Sequence, residues 1–202
     1  MVEILESQKT EANVQFGKFI ERTYEDWFDE TEEKPILSHK LFGELVAPEI
    51  RKKDKPILFI VIDNLRYDQW KAFESIVNNH YKLEKEVSYF SILPTATQYE
   101  RNAIFSGLMP ADMEKLHPNL WKNDTDEGGK NLHEADFLEA QIKRLGLNHL
   151  KHEFYKITNL KSGKQLAENF KGLKDNDLTV VVYNFVDMLS HAKTDMEVVK
   201  EL

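Results

Sequence analysis

The chain has 202 residues, of which 41% are hydrophobic and 31% are charged, a composition typical of a globular protein. This length allows one sizeable core, or a core with a small helical appendage, and excludes a large multidomain enzyme. The 27 Lys and Arg residues against 35 Asp and Glu residues give a formal net charge of −8, which opposes sequence-independent binding to long nucleic acid or to anionic membranes.

The sequence contains no cysteine, which excludes disulfides, zinc sites built from thiolates and cysteine nucleophiles. His, Asp and Glu are therefore the strong metal ligands that it offers. The longest apolar run, residues 57–62, is far shorter than the roughly 20 residues that span a bilayer, and the N-terminus lacks the pattern of a signal peptide. We predict a cytoplasmic protein with no membrane partner.

Residues 1–53 carry apolar side chains at helical spacing, interrupted by a charged stretch that ends at Pro35. This pattern predicts a helical segment whose apolar faces are candidates for self-association. The pattern then changes, because residues 57–62 form a continuous β-branched and aromatic run typical of a strand buried on both faces. We therefore predict two domains, 1–53 and 54–202.

The second part alternates predicted strands and helices. After the first strand, the elements are a helix carrying Trp70 and Phe73, a strand at residues 89–93, a helix beginning near Thr97, a polar loop at residues 123–130, a helix over residues 132–145, a strand at residues 178–185 and a helix at residues 196–202. This alternation predicts a three-layer α/β domain with a parallel sheet, preceded by the N-terminal helical segment.

Polar residues at the carboxyl ends of the strands are the candidate site residues, since ligands of open parallel sheets bind there. Asp63 closes the first strand, and Thr97 opens the helix after the second. Asp187 and His191 follow the third strand at a spacing that brings a carboxylate and an imidazole to one side of a helical turn. A carboxylate, a hydroxyl and an Asp/His pair in one cleft suit metal-activated phosphoryl transfer.

Each candidate also has a plainer interpretation that the local sequence leaves open. Asp63 could cap a helix, and Thr97 could be the N-cap of the helix that follows it. Asp187 and His191 could form a surface pair. The joint placement of all of them at strand ends favours the functional interpretation.

Two arginines follow the first two segments, and both are candidates for binding the phosphate of a substrate through paired hydrogen bonds. The alternative for Arg66 is an ion pair with Asp68, and the alternative for Arg101 is an ion pair with Glu100. The local sequence does not choose between the two interpretations.

These motifs resemble the alkaline phosphatase superfamily, and within it the PglZ domain of PorX-type response regulators. In that superfamily an Asp at a strand end precedes an Arg by three residues, as in Asp-Asn-Leu-Arg at residues 63–66. A Pro-Thr-x-Thr segment leads to Ser-Gly and a proline, as here from residues 94–97 to 106–107 and Pro110. An Asp and a His separated by three residues are the third element, matched by Asp187 and His191, and the resemblance spans residues 55–202.

The resemblance implies a site with two zinc ions, with Asp63 and Thr97 on one ion and Asp187 and His191 on the other. It also implies that Thr97 is the nucleophile of a phosphodiesterase or phosphatase acting on small phosphoesters such as nucleotides or oligonucleotides. The N-terminal helices are similar to the linker that joins a receiver domain to the PglZ domain. A receiver domain and a sensor kinase are the partners that this similarity implies.

The sequence departs from the superfamily pattern in one respect. The pattern continues with an Asp-His pair and one further His, and this sequence has no Asp-His dipeptide and no histidine after His191. Half of the metal site is missing, so we expect the chain to be a piece of a longer protein. Two alternatives stay open, a regulatory interaction module without turnover and a structural fragment that binds one metal weakly, because two ligands rarely hold zinc.

Overall fold

The structure is a computed structural model, and it describes residues 2–29, 34–52, 55–123, 125–184 and 186–188. The backbone divides into two compact units, Met1–Ile36 and Leu37–Leu202. Residues 38–52, which the sequence pattern assigns to the N-terminal segment, are part of the second unit. The residue at which the two domains meet stays a prediction. The helix predicted at residues 196–202 lies outside the described residues.

The first unit is helical, as predicted. Helix α1 (Val2–Thr23) has no buried residue, and a 3-10 turn (Glu25–Phe28) follows it. Trp27 of this turn is 8% exposed. Its ring lies 5.9 Å from that of Phe19 and 5.7 Å from that of Tyr24, centroid to centroid. This aromatic cluster holds the turn against the last turns of α1.

The second unit contains a parallel three-stranded sheet among the described residues, which confirms the predicted α/β class. The strands are β1 (Ile57–Ile62), β2 (His152–Ile157) and β3 (Leu178–Tyr183), in the order β1-β3-β2. The register aligns the last residues Ile62, Tyr183 and Ile157. The three carboxyl ends therefore form one level edge.

Helices surround this sheet and account for most of the other predicted elements. In chain order the helical segments are α2 (Ser38–Leu41), a π-helical turn (Phe42–Val46), α3 (Ala47–Lys52), α4 (Tyr67–Asn78), α5 (Thr97–Ser106), α6 (Pro110–Leu116), α7 (Glu134–Arg144), α8 (Leu160–Glu168) and a 3-10 turn (Phe170–Asp175). Helices α4 and α7 lie where the apolar periodicity predicts them, and α5 begins at Thr97, near which a helix was expected to begin. No helix of the described residues is long and apolar enough to cross a bilayer.

The sheet lies between two helical layers. On one face, Phe105 of α5 packs between Phe59 of β1 and Phe154 of β2, with ring centroids 6.4 and 5.3 Å apart. On the other face, Val181 of β3 and Leu166 of α8 line one apolar cleft of about 280 Å³. This arrangement confirms the predicted three layers.

Strand β1 corrects one expectation of the sequence analysis. It is half-buried rather than buried on both faces, and its Ile60 is 50% exposed. The reason is its position at the edge of the described sheet, because a continuous apolar run does not reveal which strand is central. The central strand is β3, in which all residues but Tyr183 are buried.

The strand predicted at residues 89–93 is not part of the sheet. Phe90 forms an isolated bridge with Leu37, and the Ser38 N–H donates to the Phe90 carbonyl oxygen at 3.1 Å. The pairing stops there because α2 begins at Ser38, whose hydroxyl accepts from the N–H of Ile92 at 3.2 Å. Strand β2, at the other edge of the described sheet, was not predicted, because its charged residues conceal the alternation of strand side chains.

Candidate functional site

Two polar residues extend the sheet at its carboxyl edge. The N–H of Asp63 donates to the Tyr183 carbonyl oxygen at 3.1 Å, and the N–H of Asn184 donates to the Ile157 carbonyl oxygen at 2.9 Å. Because side chains alternate along a strand, Asp63 lies on the face of Phe59, which is the face that α5 covers. Asn64 then turns the chain with a φ of 60°, a left-handed conformation that asparagine tolerates better than most residues.

Arg101 of α5 joins these strand ends. Its side chain is 4% exposed. Its Nη1 donates to Asp63 Oδ2 at 2.8 Å and also to Asn184 Oδ1, while Nε and Nη2 donate to the two carboxylate oxygens of Glu134 at 2.6 and 2.7 Å. This buried guanidinium therefore ties β1, β3 and the start of α7 together.

Glu134 is the second buried charge of this network, with 1% of its surface exposed. Its Oε2 also accepts a hydrogen bond from Lys156 Nζ of β2 at 2.8 Å. Buried charges are costly without partners, and each member here has an opposite charge within hydrogen-bonding distance. The sequence analysis missed Glu134, Lys156 and Asn184. Only the position of Asn184 directly after a strand gave a signal that could have identified one of them.

Thr97 is the first residue of α5, and it is exposed. The N-cap residue is Ala96, so the structure does not support the plainer interpretation of Thr97 as the N-cap. The helix dipole makes the start of such a helix favourable for anions. The Nδ2 group of Asn131 donates to the Thr97 carbonyl oxygen at 3.3 Å, which links the loop before α7 to this helix start.

One open cleft of about 460 Å³ brings most of the predicted site residues together. Asp63, Thr97, Arg101 and Asp187 all line it, along with Ala96, Gln98, Gly129, Lys130, Asn131, Leu132, Lys156 and Asn184. His191 lies outside the described residues. A second cleft of about 440 Å³ lies near the amino ends of the strands, and none of the predicted site residues lines it.

The two predicted arginines have different surroundings. Arg66 is exposed and its Nη2 lies 2.7 Å from Asp68 Oδ2, which is the ion pair considered as its alternative. The hydrogen bond from Arg66 lowers the pKa of the Asp68 carboxyl group. Arg66 is not one of the described residues that line the cleft. Its role in substrate binding stays a prediction. Arg101 lines the cleft and pairs with Glu134 and Asp63 rather than with Glu100.

The described residues of the cleft offer oxygen ligands of the type that divalent cations use, namely the Asp63 and Asp187 carboxylates and the Thr97 hydroxyl. No group of three His, Cys, Asp or Glu side chains suited to a metal ion occurs in the described part of the chain. The three oxygen donors line one cleft and suit a divalent cation chemically, but they supply only part of the ligands that a metal site needs.

The second unit is a parallel α/β domain with polar residues lining a cleft at the carboxyl edge of its sheet. Residues 41–202 match the family model of the BREX system PglZ alkaline phosphatase-like domain, and the chain belongs to this family. Residues 1–28 match the PorX response regulator linker domain. A search of curated proteins found no match.

Together the two matches indicate a response regulator with a phosphatase-like domain. They confirm the resemblance that the motifs at residues 63–66 and 94–97 carry. The alkaline phosphatase-like family is generally metal-dependent.

Proposed function

We propose that this chain is the linker and the phosphatase-like output domain of a two-component response regulator, and that the output domain hydrolyses small phosphoesters such as nucleotides or oligonucleotides. The observation that carries the proposal is the shared cleft of Asp63, Thr97 and Asp187 at the carboxyl edge of the sheet. The cleft is open and about 460 Å³ in volume, which suits a small phosphoester rather than a long polymer.

The proposed cofactor is zinc, with two ions in the complete site. Asp63 and Thr97 would hold one ion, and Asp187 and His191 would hold the other. Bound there, the ions would polarise a phosphoryl oxygen and lower the pKa of the Thr97 hydroxyl. The support for zinc comes from the family and from the oxygen ligands that line the cleft.

Thr97 is the proposed nucleophile. Its Oγ1 gives its proton to solvent water and forms a bond to phosphorus, while the bond from phosphorus to the leaving oxygen breaks and that oxygen keeps the electron pair. A water molecule then hydrolyses the phosphothreonine. The positive end of the α5 dipole, at Thr97, would stabilise the negative charge that develops on the phosphoryl oxygens.

Arg101 acts in this proposal by positioning other residues. Because it holds both Asp63 and Asn184, it aligns the adjacent carboxyl ends of β1 and β3 at the cleft. Its predicted contact with substrate phosphate would require some of these hydrogen bonds to be exchanged.

Metal removal tests the function directly. Hydrolysis of bis(4-nitrophenyl) phosphate by the natural full-length protein is expected to fall to the buffer rate after dialysis against a chelator and to return on addition of zinc. The 202-residue chain is assayed beside it, together with thermal melting to show that the fold persists. Unchanged turnover in the metal-free, folded protein would contradict the zinc-dependent mechanism.

A non-catalytic interaction module is the second candidate. The observation in its favour is the ion pair of Asp63 with Arg101, since this carboxylate already has a cationic partner. Zinc-loaded, folded full-length protein that hydrolyses no phosphoester, and whose partner binding is unaffected by Asp187→Ala, would favour this candidate over the enzyme.

The partners are proposed on the same grounds. The linker match implies a receiver domain, and through it a sensor kinase, in a cytoplasmic signalling system. Self-association through α1 is proposed because Leu5, Phe16 and Phe19 are exposed. The variant Phe16→Glu is expected to shift the particle mass in light scattering toward the monomer, whereas the exposed Lys9→Glu variant serves as control and leaves it unchanged.

A further inference from the structure

Among the described residues, three cationic side chains line the cleft, and they differ in their hydrogen-bond partners and in the elements that carry them. They are Arg101, Lys130 and Lys156. A substrate oxyanion needs a cation with an available donor facing the cleft. The partners and the position of each cation therefore indicate which one can bind a phosphoryl group.

Arg101 is largely committed to the protein. Four of its hydrogen bonds go to Glu134, Asp63 and Asn184, and a guanidinium has five N–H donors. Two carboxylates already balance its single charge. Binding a phosphoryl oxygen through Arg101 would therefore disturb a buried network, which is costly.

Lys130 is committed to its own loop. Its Nζ donates to the Asn123 carbonyl oxygen at 2.6 Å and to the Asp126 carbonyl oxygen. These bonds direct the ammonium group into the polar loop before α7. Lys130 thus links residues 123, 126 and 130 of that loop.

Lys156 has one donor to spare, as Lys130 has, but it lies on strand β2 of the sheet rather than in a loop. Its Nζ donates to the Asn131 carbonyl oxygen at 2.7 Å and to Glu134 Oε2 at 2.8 Å, which uses two of three N–H donors among the described residues. Its side chain is 32% exposed. Glu134 is the counter-charge of Lys156, so Lys156 offers a ligand a charge-assisted hydrogen-bond donor rather than surplus charge.

The position of Lys156 also fits this role. It lies one residue before the carboxyl end of β2, paired in register with Val182 of β3. Side-chain alternation places it on the same face as Phe154, which is the face that α5 covers. Asn131 accepts from Lys156 and donates to the Thr97 carbonyl oxygen, so one residue connects the ammonium group to the start of α5.

We propose that the Lys156 ammonium binds a non-bridging phosphoryl oxygen of the ligand in the Thr97 cleft. This inference rests on the proposed function for its ligand class, a phosphoryl oxyanion. Hydrogen bonds to Glu134 and Asn131 orient the ammonium group and leave its third N–H for the ligand. Because the side chain is already ordered, little side-chain entropy is lost on binding.

The test is the affinity of the metal-loaded full-length protein for inorganic phosphate, measured by calorimetry at fixed salt. Lys156→Met is expected to weaken binding about tenfold or more, because it removes a charge-assisted hydrogen bond. Lys156→Arg keeps the charge and is expected to restore most of the affinity. The matched control is Lys161→Met, at an exposed lysine of α8 outside the cleft.

Each outcome decides the inference separately from the enzyme proposal. Selective loss of phosphate affinity in Lys156→Met supports the subsite even if the protein hydrolyses no ester. Equal affinities in a protein that does turn over overturn the role of Lys156 and leave the function standing, and absence of phosphate binding in the wild type also overturns it. If Lys156→Met does not fold, the isotope-labelled Lys156 side-chain NMR signal of the wild type must shift on phosphate addition.

Discussion

Replacing Thr97 with alanine is expected to lower kcat for phosphodiester hydrolysis by about 1,000-fold or more, because the bond to phosphorus then has no protein oxygen to form it. Thr97 is exposed at the first position of α5 and lines the cleft with Asp63 and Asp187. No buried contact of the threonine is lost, so the fold is expected to persist. The measurement is steady-state turnover in the full-length protein at saturating zinc.

Two control variants separate the nucleophile from other effects. Thr97→Ser keeps a hydroxyl at the same position and is expected to retain much of the activity. Thr95→Ala removes an exposed hydroxyl two residues earlier that does not line the cleft, and turnover should stay close to that of the wild type. Zinc-dependent turnover that survives in Thr97→Ala would falsify the assignment of the nucleophile.

The buried charge network gives the second large effect. Glu134→Ala is expected to lower the free energy of unfolding by about 3–5 kcal/mol, because it leaves Arg101 buried with one fewer carboxylate and deprives Lys156 of its counter-charge. Urea denaturation followed by circular dichroism measures this change. Glu134→Gln, which keeps the volume and one carbonyl oxygen, is expected to lie between alanine and the wild type.

Helix α7 supplies its own matched control. Glu139 is 43% exposed, and its carboxylate lies 2.8 Å from Lys143 Nζ and 3.0 Å from His152 Nε2. Exposed ion pairs contribute little, so Glu139→Ala is expected to change the free energy of unfolding by less than about 1 kcal/mol. Similar losses for Glu134→Ala and Glu139→Ala would contradict the view that burial makes the Glu134 network important for stability.

Two kinds of feature in this protein could be predicted from the sequence. The first is the set of continuous or periodic apolar segments, which located β1, β3, α4 and α7 correctly. The second is the set of polar residues at strand ends, from which Asp63, Thr97 and Asp187 were predicted to share a cleft, as they do. Both depend on neighbouring residues, whose spacing determines which face of an element they occupy.

The family resemblance came from the same local motifs, and the matches to the PglZ and PorX linker models confirm it. The roles of the individual site residues and the zinc ions stay predictions. His191 lies outside the described residues, so the Asp187 and His191 pair awaits the metal measurements above.

Only the tertiary structure decided which groups partner Arg101. Locally, Glu100 was the obvious partner, but its carboxylate accepts a hydrogen bond from Tyr89 at 2.9 Å. Arg101 instead binds Glu134, 33 residues away, and Asn184, 83 residues away. Such pairs depend on how α5 packs against the sheet and α7, and no local spacing encodes that packing.

The same reason explains the elements that the sequence analysis misjudged. Strand β2 carries charged residues among its apolar ones, and β1 looks central by composition although it is half-exposed. Nothing in the sequence marked Lys156, which the pairing of β2 with β3 places in the cleft. The sequence by itself determined the local elements and the strand-end residues, whereas the strand order and the buried ion network follow from long-range packing.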